Sequence, residues 1–203
     1  MDFVELAAIT IHDVKNRLAI LASRAEARGD AETVRGAMEA AQSLTRLLAV
    51  YKSEKGQLGA AIDAHVPADL LAELAAEAGE PTGLRISCES GTAPVLGYYD
   101  AALVRLVLRD ALYNALRHAA KEVRLAARLR DGNLEFIVSD DGPGYPAALL
   151  GQPATMQALS EAGTGLGLFL AGRVARLHHS AGREGCIELG NEDGAVFALR
   201  LPQ

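Results

Sequence analysis

Residues 163–177 read GTGLGLFLAGRVARL. Gly163, Gly165 and Gly167 fall at alternate positions and lead straight into an apolar segment with helical spacing. Backbone N–H groups at a helix start, with no Cβ atoms to hold a ligand off, make an anion cradle. The spacing is not the dinucleotide fingerprint, and no Lys-Ser or Lys-Thr pair follows as a P-loop requires. Taken alone, such a loop carries little information, so the segments around it decide.

Two upstream segments bear on it. Residues 109–119 read RDALYNALRHA. On a helix, Asp110, Asn114, Arg117 and His118 share one side, opposite Leu108, Leu112 and Ala115. An amide, a guanidinium and an imidazole on one face suit a Mg2+–phosphate ligand. The hard cation takes oxygen donors and keeps several waters, while Arg pairs with phosphate oxygens. Residues 138–145 read VSDDGPGY, directly after a strand pattern. Asp140 leaves the strand end, and Gly142 and Gly144 let the backbone approach a flat ring closely. A carboxylate accepting from an exocyclic amine selects adenine over guanine. Each segment also has an ordinary reading, a solvated helix face and a Gly-Pro turn. The stretch 146–162 is long for a plain connection and reads as a mobile lid.

The N-terminus is different. Residues 2–28 have helical periodicity, with Val14, Leu18, Leu21 and Ala25 as the apolar stripe. Gly29-Asp30 stops this helix and caps the next, which runs over 31–56 with Val34, Met38, Ala41, Leu44, Leu48 and Tyr51 on one side. A hairpin this short cannot bury its apolar face alone; its simplest partner is a second copy, giving a twofold four-helix bundle, and packing against the rest of the same chain ranks second because that remainder can close its own core. Within TIHDVKNRLAIL (10–21), His12 lies two positions from Val14, about 200° round the helix, and so faces solvent. Asn16 is one turn on. A neutral imidazole is a nucleophile near pH 7. Asp13 can hold its tautomer or take its proton, and Asn16 can orient a water.

From about residue 61 the pattern is mixed α/β. Strands are expected at AIDAHV, LRISCES, EVRLAARLRD, NLEFIVSDD, CIELG and AVFALRL, and helices over 67–79, 100–119 and 165–179. Asp131-Gly132 is a hairpin turn pair. This order predicts a sheet with helices on one face. The net charge of −6 argues against a nucleic-acid surface. No apolar run reaches the roughly 18 residues that span a membrane, and the acidic MDFVELAAIT is no signal peptide. Cys88 and Cys186 form no CxxC pair and are expected as free, mostly buried thiols in a reducing cytosol. His178-His179 close a helix, where polar or cationic groups suit the dipole, and His65 reads as a strand residue without a role.

In this order, the segments resemble the ATP-binding domain of sensor histidine kinases and their relatives in the gyrase, Hsp90, histidine kinase and MutL superfamily. DALYNALRHA is similar to their N box, DDGPG to their first glycine box, and GTGLGLFLAGRVARLH to their second. IHDVKNRLAIL is similar to the phospho-acceptor H box. The resemblance implies an α+β chain in two domains. Residues 1–58 would be the dimerisation and histidine phosphotransfer hairpin, forming a dimeric four-helix bundle. Residues 59–203 would be an ATP-binding α/β sandwich. It implies ATP and Mg2+ as cofactors, with Asn114 as metal ligand and Arg117 and His118 near the phosphates or the nucleotide. Asp140 would take the adenine amino group, with Gly142 and Gly144 beside the ring. Gly163, Thr164, Gly165, Leu166 and Gly167 would border the phosphates. His12 would be phosphorylated, Asp13 would assist as acid or base, and Asn16 would support dephosphorylation of the regulator.

The partners implied are a second copy, a response regulator receiver domain and a separate sensor protein. A cytoplasmic location without membrane insertion or nucleic acid is expected. Two positions and one missing motif depart from the family pattern. Arg17 stands where a proline is usual, removing a helix bend, and Asp110 stands where the N box opens with Asn. No phenylalanine-bearing F box is found in 146–162. These departures motivate a rival, a phosphotransfer adapter that relays phosphate between receiver domains and keeps the ATP fold as a docking surface. A nucleotide-binding serine kinase of the anti-sigma type is a third reading, and it has no use for His12.

Overall fold

The chain turns back on itself at Gly29-Asp30. Asp30 accepts the Thr33 N–H at 3.1 Å and the Thr33 hydroxyl at 2.6 Å, capping the second helix. The structure, a computed structural model, describes residues 3–79, 83–151 and 165–203. Contacts divide the chain into two compact units, one through Leu58 and one from Gly59. In the first, α1 (Phe3–Glu26) packs along α2 (Ala31–Glu54).

The contact ridge differs from the expected stripe. Ile11, Lys15, Leu18, Ala22 and Ala25 turn inward, with Ala25 and Ala37 buried. The small alanines let the helices close, and the larger apolar residues beside them are left outside. Val14, Leu21, Met38 and Leu47 are 37%, 43%, 51% and 51% exposed. No described helix is long and apolar enough to cross a membrane.

In the second unit, a five-stranded sheet has the order β2-β4-β5-β9-β8, with β2 (Arg85–Thr92), β4 (Glu122–Arg130), β5 (Asn133–Asp140), β8 (Cys186–Asn191) and β9 (Ala195–Pro202). Among the described residues only the β2–β4 pair is parallel, and α4 (Ala101–His118) lies in its crossover. Asp131 and Gly132 both take positive φ, 51° and 71°, which is the two-residue turn the β4–β5 hairpin needs. The strand expected around AIDAHV is short: β1 (Asp63–His65) leaves the main sheet and pairs antiparallel with β3 (Gly97–Tyr99). His65 there packs against the Tyr99 ring at 5.2 Å. Pro67 opens α3 (Pro67–Ala78), where its missing N–H costs nothing. The last helix is α5 (Gly165–Leu177), followed by the small β6–β7 hairpin (His179–Ser180, Arg183–Glu184).

Among the described residues, α3, α4 and α5 pack on the sheet face that carries Val123, Leu125, Leu134, Phe136, Val138, Phe197, Leu199 and Leu201, all buried. Each alternates with a residue on the other face, the period-2 pattern of a half-covered sheet. On that other face Glu135 is 2% exposed, roofed by Arg128 (2.6 Å) and Arg200 (2.8 Å), and Arg200 also reaches Glu188 at 2.5 Å. A carboxylate this deep is tolerable because two guanidiniums satisfy it. The cysteines correct an expectation: both are free but exposed, since β2 and β8 are the edge strands. Partial burial still pushes both thiols above their ordinary range, so neither is an activated nucleophile.

His178, expected only as a polar or cationic group suiting the dipole at a helix end, is 2% exposed. Its Nδ1 lies 2.8 Å from the Val174 carbonyl, and its Nε2 accepts the Asp100 N–H at 3.0 Å. Asp100 in turn caps α4 at Leu103 N–H and holds Ala61 N–H. The geometry requires a neutral ring protonated on Nδ1. Burial pushes its pKa below 6.5. The folded state therefore resists a proton that the unfolded chain accepts, and stability is lost as pH falls below about 6.5. Urea midpoints between about pH 8 and 5 should fall for the wild type and fall less for His178→Ala. At the alkaline end that variant should be about 1–3 kcal/mol less stable, because the buried Asp100 N–H loses its acceptor.

Candidate functional site

Asp140 is the last residue of β5 and is 8% exposed. Its Oδ1 accepts the Gly142 N–H at 2.8 Å. That bond fixes the carboxylate and leaves the second oxygen for a ligand. The next residue, Asp141, folds back the other way. Its Oδ1 accepts from Ala120 (2.8 Å), Lys121 (2.9 Å) and Glu122 (3.1 Å). Those N–H bonds, that of Lys121 foremost, hold the Asp141 carboxyl below the usual carboxylate range. Two adjacent acids thus have different tasks: Asp141 ties the loop to the α4–β4 connection, and Asp140 is presented at the strand end.

Gly142 lies against the end of α4. A Cβ there would run into the His118 carbonyl oxygen. The N-box segment and the first glycine segment are therefore in direct contact. On α4, Leu108, Leu112 and Ala115 are buried against the sheet, as the helical spacing predicts. Asp110 and Asn114 are half-buried and Arg117 and His118 exposed. The Asp110 carboxylate oxygens are out of solvent.

α4 also packs along α5. Gly165, Leu166 and Gly167 form the first turn of α5, which starts where the helix was expected to, and Leu168, Phe169 and Leu170 are buried behind them. The first-turn N–H groups of a helix lack intrahelical acceptors, which suits an anion. Gly163, Thr164 and most of the 146–162 stretch lie outside the described residues. Its start, Ala147–Leu149, is a 3-10 turn anchored by buried Leu149.

The donor set fits Mg2+ held through a nucleotide. Asn114 offers a neutral oxygen, and among the described residues no group of three His, Cys, Asp or Glu side chains could cage a metal. Mg2+ needs only one or two protein oxygens when phosphates and waters complete the octahedron.

Sequence reading missed Tyr145 and Asn191. Burial, with the Asp140 charge second, pushes the Tyr145 phenol up to about 12. A bulky residue after DDGPG was the available signal for Tyr145. Nothing local marks Asn191. In the other unit, His12, Asp13 and Asn16 are all exposed on α1.

Comparison with known proteins places this geometry. Residues 99–203 match the histidine kinase-, DNA gyrase B-, and HSP90-like ATPase family. The signal transduction histidine-protein kinase AfsQ2 of Streptomyces coelicolor is 34% identical over 110 residues, covering 51% of this chain and 20% of that protein. The chain thus spans about a fifth of that curated relative. Full-length ShkA, solved in complex with AMPPNP, is similar in fold over 98% of this chain and 45% of its own, with a TM-score of 0.69 and 21% identity. The ATP binding domain of PrrB from Mycobacterium tuberculosis is 29% identical, with a TM-score of 0.54 over 70% of this chain and 96% of its own. With the match covering the strand-end acid, the N-box helix and α5 together, the chain belongs to the histidine kinase-, DNA gyrase B-, and HSP90-like ATPase family and has the fold of a histidine kinase catalytic core.

Proposed function

We propose that this chain is a homodimeric histidine kinase that phosphorylates His12 from Mg-ATP and passes the group to an aspartate of a response regulator. The observation that carries the reading is an exposed imidazole on α1 in a chain whose other unit belongs to an ATP-binding family. The AMPPNP in the ShkA complex and the kinase name of AfsQ2 support it.

In this reading Asp140 takes the adenine amino group and the first turn of α5 borders the phosphates. Asn114 holds Mg2+, which neutralises phosphate charge when bound. A neutral ring nitrogen of His12 attacks the γ-phosphorus. The N–P bond forms, the bond to the ADP oxygen breaks, and ADP leaves. The proton on the other ring nitrogen passes to Asp13. Little covalent work falls to the protein, so catalysis is positioning and charge neutralisation. Asn16, one turn from His12, orients a water when the regulator is dephosphorylated. A receiver domain and a separate sensor are the partners of this scheme, and the cytoplasm is its compartment.

The hairpin supports the dimer. Val14, Leu21, Met38 and Leu47 are large apolar side chains left outside the α1–α2 contact, and a second hairpin is the simplest cover for them. Light scattering should give a mass of about twice the 21.3 kDa of one chain. Leu21→Arg together with Leu47→Arg should shift it to one.

Incubation with γ-labelled ATP should leave acid-labile, alkali-stable label on the protein. His12→Ala should abolish that label, and Asn114→Ala should remove most of it. Unchanged labelling in His12→Ala would overturn the proposal, and a wild type that accepts label only from a phosphorylated receiver domain would favour the adapter. Asp140→Asn replaces a charged acceptor by a neutral amide. It should weaken ATP about 10- to 100-fold, as measured by calorimetry, from about 1.5–3 kcal/mol of lost charge-assisted bonding.

A further inference from the structure

Asn191 ends β8, on the sheet edge, and pairs across the turn with Ala195. Its side chain does not serve that turn. Its Oδ1 accepts the Tyr145 N–H at 2.8 Å, and its Nδ2 donates to the Tyr145 carbonyl at 3.0 Å. One side-chain amide thus makes both bonds that a neighbouring strand would make, 46 residues away in sequence.

The fit around this clamp is close. Gly144 has φ +80°, and a Cβ there would lie 2.8 Å from both Cγ and Oδ1 of Asn191. Three residues further along the same turn, Gly194 passes against β5, and a Cβ there would collide with the Asp140 carbonyl oxygen. The β8–β9 turn therefore touches the loop on both sides of its glycines, at Asp140 and at Tyr145. Between those two points the loop also carries the Gly142 N–H that holds Asp140 Oδ1. The Tyr145 side chain is half-buried and close enough to Asp140 to feel its charge.

We propose that Asn191 is the positioning residue of the base-binding loop: by holding both backbone groups of Tyr145, it fixes the path from Asp140 to Tyr145 and thereby sets nucleotide affinity and the preference for adenine over guanine. This rests on the reading of Asp140–Gly144 as the adenine-binding loop. The β8–β9 backbone pairing does not use the Asn191 side chain, so its removal releases the loop while leaving the sheet paired. A loop free to wander presents the Asp140 carboxylate over a range of directions, and directional recognition of an exocyclic amine suffers most.

The test is calorimetric titration of the full chain with MgATP and MgGTP, for the wild type, Asn191→Ala and Asn191→Asp. Loss of two hydrogen bonds should weaken MgATP roughly tenfold in Asn191→Ala. Asn191→Asp keeps the acceptor for the Tyr145 N–H but sets a charge against the Tyr145 carbonyl, so it should fall at least as far. MgGTP binding should change less, so the ATP-to-GTP ratio should shrink. In the labelling reaction KM for ATP should rise while the rate at saturating ATP holds, a split that a general loss of stability would not give. Hydrogen exchange at the Tyr145 amide should be faster in both variants without nucleotide. Wild-type MgATP affinity in a folded Asn191→Ala, or unchanged Tyr145 exchange, would overturn the assignment alone. A wild type that binds no MgATP would overturn the adenine reading beneath it, and the assignment with it.

Discussion

The joint between the end of β5 and the end of α4 is the constraint on which the site depends. Asp141 gathers the N–H groups of Ala120, Lys121 and Glu122, and Gly142 closes against the His118 carbonyl. A side chain at 142 would force strand and helix apart. With them together, the half-buried amide of Asn114 and the carboxylate of Asp140 are carried by elements that cannot drift independently. The joint is built from backbone groups and one acid, which suits a task of placing functional groups rather than of storing stability.

Two histidines show how the surroundings decide chemistry. His12 stands exposed on α1, free to be reached. His178 has the same side chain but is enclosed, with both ring nitrogens engaged and its pKa pushed down by burial. In a low-dielectric site the neutral ring is preferred, and it becomes a structural link between the start of α4 and the end of α5. That link sets the relative height of the two helices whose faces and ends border the proposed nucleotide site.

The two units solve burial differently. The second closes its own core around Tyr99, Phe136, Phe197 and a set of leucines, and it satisfies the deep Glu135 carboxylate on the open sheet face with arginines. The hairpin packs through alanines and leaves large apolar side chains outside. In the proposed function this division is useful, since a surface that needs another copy places two phospho-acceptor helices in one assembly.

Much of this was legible locally. Asp30 caps a helix, Pro67 opens one, and Asp131-Gly132 turns a hairpin, because each acts through its own φ, N–H or carboxylate within three or four residues. The buried face of α4 followed from helical spacing. His12 is exposed as expected, although the stripe through Val14 from which its direction was reckoned is not the one that packs. The glycine segments were visible for the same reason, since glycine marks where backbone must come close. What the sequence could not determine were contacts between distant segments. These include the Asn191 clamp on Tyr145, the Asp100–His178 bond across 78 residues, the departure of β1 to pair with β3, and the rotation of the α1 stripe toward its alanines. Each is one of several pairings that local propensity permits equally. Only the closing of the whole core, where one arrangement satisfies buried polar groups and fills space at once, selects among them.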